Sequence, residues 1–175
     1  GESGRAAFGK MHNPEDRRPV IGMATRLASE KGVEVLVQAL PKILERFPDA
    51  RVLFAGQYLD VMGEQEYAQR LAPLLRRYQD RGKWEFLGVL TPLQMAAFYP
   101  NLDVLVVPSL NSTESFGLVQ VEAMLKGTPC VASDLPGVRQ PVKLTGMGKI
   151  AAVGSPESLA DAVIDVLAHP EQYVR

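Results

Sequence analysis

Short apolar runs separated by longer stretches of helical spacing are what most constrain the fold of this chain. The runs are Pro19 to Thr25, Arg51 to Ala55, Lys83 to Leu87, Asp103 to Val107, Thr128 to Ala132 and Lys149 to Val153. Each is nearly continuous in apolar residues, as a strand covered on both faces requires. Between the first two, Val33, Leu36, Val37, Leu40, Ile43, Leu44 and Phe47 keep helical spacing, and Met62 to Tyr78 reads as a long polar helix. Pro92 to Tyr99, with Thr91 as its cap, and a last helix opened by Ser155-Pro-Glu and built on Leu159, Ala162, Val163, Val166 and Leu167 continue the alternation. Parallel strands need such crossovers, so the expected fold class is α/β: an open parallel sheet of about six strands with helices on both faces.

The expected domain is residues 19–175, preceded by a Gly- and charge-rich stretch, Gly1 to Arg18, without periodicity, which reads as a tail or interdomain linker. His12 in that stretch has no second metal-type ligand at a recognised spacing. A net charge of -1 gives the chain as a whole no attraction to nucleic acid or to an anionic membrane, and 46% hydrophobic content suffices for a proper core. Cys130, the single cysteine, excludes an internal disulfide and fits a reducing, cytoplasmic setting; in its apolar run it reads as a buried strand residue. No run is long enough to span a membrane.

The stretch with the most chemistry is SLNSTESFGLVQVEAMLKGTP, Ser109 to Pro129. A polar loop leaves the fourth run and breaks into a helix near Phe116 or Gly117. The amides of Phe116, Gly117 and Leu118 in its first turn, with the positive end of the dipole, suit a phosphate, and Gly117 lets the backbone approach it closely. Glu114 and Glu122 flank seven residues. If these are mostly helical, the carboxylates stand roughly 10–12 Å apart at about 1.5 Å per residue. That span fits a nucleotide-sugar, with Glu114 on sugar hydroxyls, Glu122 on ribose hydroxyls and the diphosphate over the amides between them. Glu122 sits among Val119, Val121, Ala123, Met124 and Leu125, so little of this helix is left for water and the carboxylate needs a partner.

The segment E-S-F-G-L-V-x-V-E-A-M-x-x-G-T-P-x-V-A-S-D-x-P-G, from Glu114 through Ser115 and Phe116 to Gly137, resembles the E-x(7)-E region of the retaining GT-B glycosyltransferases of group 1. The resemblance implies the second of two Rossmann-like domains, the one that binds the donor, and a parent enzyme that keeps the donor's anomeric configuration. It implies that the acceptor site lies on a first domain, outside this chain. It also implies donor contacts by the basic residues of a G-R-x(4)-K-G loop, here T-R-L-A-S-E-K-G with Arg26 and Lys31. Without the resemblance, those two cations read first as an ordinary charged turn, and the resemblance reverses that order. Val89 and Leu90, in the loop after the third run, fall where the family holds the base. Glu114 is the catalytic candidate; Arg26, Lys31, Val89, Leu90, Ser115, Phe116, Gly117, Leu118 and Glu122 are candidates for substrate binding.

Other functions lack their signatures. The first loop has no G-x-G-x-x-G for a dinucleotide, and G-x-x-x-x-G-K-[ST] is absent. No Asp-x-Asp pair or His/Cys/carboxylate cluster supplies a metal site, so no cofactor or metal is expected, and the diphosphate falls to Arg26, Lys31 and backbone amides. The expected partner is a nucleotide-sugar donor, with no nucleic acid; membrane association of the parent is left open. A nucleotide-sugar 2-epimerase-like isomerase and a non-catalytic nucleotide-sugar-binding module are the alternatives.

Overall fold

A computed structural model of the chain describes residues 18–111 and 118–174. Six strands form one sheet: β1 Val20–Ala24, β2 Arg51–Ala55, β3 Trp84–Gly88, β4 Val104–Val107, β5 Cys130–Ser133 and β6 Gly148–Ala151. Their order across the sheet is β3-β2-β1-β4-β5-β6, and every pairing is parallel. The helices are α1 Val33–Arg46, α2 Gln65–Asp80, α3 Pro92–Phe98, α4 Leu118–Leu125, α5 Gln140–Thr145 and α6 Pro156–Ala168.

Alternation along each strand builds two cores. Successive side chains of a strand point to opposite faces. Ile21, Met23, Val52, Phe54, Val104, Val106 and Val131 therefore face a core closed by α1, α2 and α6. Val20, Leu53, Ala55, Leu105, Cys130 and Ala132 face a second core with Phe98 of α3, Ala123 of α4 and Val142 of α5. Both faces of the inner strands β1, β2, β4 and β5 are covered, which explains their apolar runs, whereas the edge strands β3 and β6 leave Glu85 and Lys149 exposed. Trp84 is 2% exposed and stacks on Phe54 with ring centroids 6.1 Å apart, so it is packing. Cys130 is fully buried, and burial pushes its thiol pKa up, away from reactivity.

Two local differences from the sequence reading have clear causes. Tyr78 is followed by two more helical residues, and the helix begins only at Gln65, because residues 57–64 form turns that include Asp60 at a φ of 54°. The segment between β5 and β6 contains α5, which the sequence analysis does not anticipate. It is six residues long, carries Pro141 in its first turn and ends on Gly146 at a φ of 70°, too short for periodicity to show.

The sheet order places β1 beside β4 with their connections leaving in opposite directions, β1 toward β2 and β4 toward β5. In an open parallel sheet this is the switch point, where a crevice opens beyond the carboxyl ends of the two strands.

Candidate functional site: a two-pocket crevice along α4

The loop leaving β1 forms one wall of the crevice. The Thr25 amide donates to the Ala55 carbonyl at 2.9 Å and the Leu27 amide to Gln57 O at 2.8 Å, holding the loop against the exit of β2. Gly56 permits this approach: a Cβ there would lie 1.7 Å from the Thr25 carbonyl oxygen. Residues Ser29–Lys31 then make one 3-10 turn, ended by Gly32 at a φ of 74°. A Cβ on Gly32 would lie 1.9 Å from the carbonyl oxygen of Pro108, just beyond β4. The Leu110 amide donates to Glu30 O at 2.9 Å. The loops after β1 and β4 are thus stitched together, with Lys31 between them.

Lys31 is 5% exposed and lines a small pocket of about 40 Å³ with Thr25, Val107, Ser109 and, from α4, Val119. Burial lowers its pKa below the ordinary lysine value and the nearby Arg26 charge lowers it further, while Glu30 acts the other way. An anion entering this pocket would meet a cation that burial has stripped of much of its water. Arg26 is held differently: it is half exposed, donates to Glu30 Oε1 at 2.6 Å and lines neither this pocket nor the next.

A second pocket, of about 390 Å³, opens on the same helix. Leu90, Pro92, Met95, Tyr99, Glu122 and Leu125 contribute to its lining, and Lys126 lies at its rim. The wall from α3 is fixed by a capping box: Gln94 N donates to Thr91 Oγ1 at 3.2 Å and Thr91 N donates to Gln94 Oε1 at 2.9 Å. Tyr99 Oη donates to Glu122 Oε2 at 2.8 Å. Burial, then the bond to Glu122 and its charge, push the Tyr99 pKa well above the ordinary tyrosine value, so the hydroxyl keeps its proton. Apolar walls with one carboxylate at the mouth suit a ring with hydroxyls at one end.

The structure brings together some of the candidates from sequence. Leu90 and Glu122 share the second pocket, Lys31 lies in the first, and α4 bridges them through Val119 and Glu122. Val89 is 76% exposed and lines neither pocket. Glu114, Ser115, Phe116 and Gly117 lie outside the described residues; Leu118, 67% exposed, opens the described part of α4. The expectation that little of this helix is left for water is corrected. Glu122 is exposed, as are Val121 and Leu125 on the same helix, because α4 buries only Gln120 and Ala123 in full, with Val119 and Met124 in part. Glu122 nevertheless has the partner expected of it. Tyr99 is the residue that sequence reasoning missed, since 23 positions separate it from Glu122 and no local spacing joins them. Among the described residues no group of three or more His, Cys, Asp or Glu side chains is arranged to hold a metal ion, and no helix is long and apolar enough to cross a membrane.

Comparison with known proteins gives this geometry a family. The sequence profile described as "Glycosyl transferases group 1" matches residues 5–175. The chain belongs to the group 1 glycosyltransferases. Over 154 residues it is 34% identical to a phosphatidyl-myo-inositol mannosyltransferase of Mycolicibacterium smegmatis, covering 88% of this chain and 37% of that protein. Among solved structures, sucrose-phosphate synthase of Thermosynechococcus elongatus superposes with a TM-score of 0.80 at 29% identity, over 99% of this chain and 41% of that one. HepE of Anabaena, in complex with UDP and glucose, superposes with a TM-score of 0.78 at 25% identity, over 97% of this chain and 42% of that one. The chain therefore spans about two fifths of the length of these three proteins.

Proposed function

We propose that this chain is the donor-binding domain of a retaining, metal-independent GT-B glycosyltransferase, which takes a nucleotide-sugar and delivers the sugar to an acceptor held on another domain. The observation that carries the reading is the pairing of two pockets along one helix, the first of them at the ends of β1 and β4. One contains a buried cation, and the other is an apolar slot with a carboxylate at its mouth. The solved relative that holds UDP and glucose supports a nucleoside diphosphate as the shared part of the ligand.

In this reading the diphosphate lies by Lys31, the ribose hydroxyls donate to Glu122, and the base rests on Leu90 and Met95. Transfer breaks the bond between the anomeric carbon and the distal phosphate oxygen, and negative charge grows on that oxygen as it leaves. A partly desolvated ammonium that is already in place stabilises this charge without reorganising. Arg26 adds a second cation once its guanidinium turns from Glu30, and Glu114 accepts hydrogen bonds from the sugar hydroxyls while the anomeric carbon passes to an acceptor oxygen. Retention, independence from metal and these residue roles are parts of the proposal, as is the expectation that this chain alone binds donor without transferring sugar. Near-attack geometry with water excluded needs both walls of a cleft.

A thermal-shift panel of UDP-, GDP- and ADP-sugars tests the reading, because a ligand that binds only the folded chain raises its melting temperature. We expect one nucleotide series to raise it, and the corresponding free nucleoside diphosphate to do so without any sugar. A panel with no shift at saturating ligand would contradict the proposal. A product assay on the parent enzyme separates transfer from epimerisation, and EDTA in the same assay tests metal independence.

A further inference from the structure

We infer that Tyr99 is a positioning residue for Glu122: its hydroxyl fixes one carboxylate oxygen and so presents the other to the ribose of the nucleoside diphosphate. This rests on the reading of the second pocket given above. Tyr99 starts the single 3-10 turn that follows α3, and it is 2% exposed. Its ring meets Phe98 edge-on, with centroids 5.7 Å apart. Its carbonyl accepts hydrogen bonds from Thr128 Oγ1 at 2.6 Å and from the Leu102 amide at 3.0 Å, so the backbone that carries the ring is tied to the chain just before β5 and to the chain just before β4. The side chain is thus anchored in the second core, and it also lines the pocket.

Glu122 has the opposite character. It is exposed on α4, with several rotatable bonds, and Tyr99 Oη is its hydrogen-bond partner among the described residues. Left alone, such a side chain samples many rotamers, and a ligand must order it on binding. The Tyr99 hydroxyl holds Oε2 at 2.8 Å, while Oε1 accepts no hydrogen bond among the described residues. One oxygen is therefore occupied by a donor that keeps its proton and the other is open, which is the arrangement needed to accept from a diol.

The test is calorimetry with UDP, GDP and ADP, each beside its 2′,3′-dideoxy counterpart, on the wild-type chain, Tyr99→Phe, Glu122→Ala and the double variant. Tyr99→Phe keeps the ring in its apolar site, and a melting curve checks that packing is retained. Removing one hydrogen bond to a charged group should weaken binding of the ribose nucleotide about tenfold. The dideoxy nucleotide should bind as before, and the double variant should behave as Glu122→Ala alone. If Glu122→Ala loses the preference for ribose while Tyr99→Phe keeps it, the positioning role is wrong and the pocket reading stands. If Tyr99→Phe loses affinity for both nucleotides equally, the residue is merely structural. If Glu122→Ala keeps the full preference, the pocket reading fails and the positioning role fails with it.

Discussion

Lys31 carries a conflict that function would resolve. Its charge is partly desolvated and lies near another cation, so its pKa is lowered, and an incoming diphosphate would raise it again. Two outcomes follow. Binding of a nucleoside diphosphate at alkaline pH, between the lowered Lys31 value and 10.5, should take up protons, seen as a dependence of the calorimetric enthalpy on the ionisation enthalpy of the buffer. In the unliganded chain the folded state holds its Lys31 proton less tightly than the unfolded state. The contribution of Lys31 to stability is therefore least favourable below its depressed pKa and improves as pH rises through that value toward 10.5; Lys31→Ala should remove this alkaline gain. Lys31→Ala should also cost about 1.5–3 kcal/mol of diphosphate binding, as loss of a charged hydrogen bond does. Arg26→Ala should cost less, about 0.2–1 kcal/mol, because a half-exposed guanidinium already paired with Glu30 is screened by water. The sequence lists Arg26 and Lys31 as equals on one charged loop. Only the close approach of Gly32 to Pro108 separates them, and that approach is a tertiary fact.

At the scale of elements, the crevice depends on two devices with sequence signatures. The Thr91 cap was legible from its position before Pro92, and the structure completes it with Gln94 at N3. Thr91→Ala should destabilise the chain by about 1 kcal/mol in denaturant melts and loosen the wall that carries Leu90. The stitch between the loops after β1 and β4 depends on Gly32, whose backbone is left-handed and whose Cα faces the Pro108 carbonyl. Gly32→Ala should lower the melting temperature and weaken nucleotide binding together, since the loop that carries Lys31 must move away from Ser109. A Gly32→Ala chain with wild-type melting and affinity would show that this approach does not shape the pocket. Most elements were readable because doubly covered strands and amphipathic helices leave strong periodic marks. The short helix α5 leaves none, since Val142 is its one buried residue.

For the molecule as a whole, the alternation of strand and helix specifies a parallel sheet, and the chain order brings β1 beside β4. The sequence names Lys31 and Glu122 as candidates, and in the structure α4 lines the pocket of each, through Val119 beside Lys31 and through Glu122 itself. What the sequence could not express is contact between residues far apart along the chain. Tyr99 beneath Glu122 is one case, and the apolar surface of Val121 and Leu125, exposed where burial was expected, is another. The central claim is that the crevice divides one ligand between two pockets, phosphate at Lys31 and ribose at Glu122. The most direct measurement is a calorimetric series of nucleoside, nucleoside monophosphate and nucleoside diphosphate on the wild-type chain and on Lys31→Ala. The account predicts that Lys31→Ala abolishes most of the affinity gained from monophosphate to diphosphate and leaves nucleoside binding unchanged. A Lys31→Ala chain that retains the full gain would contradict it.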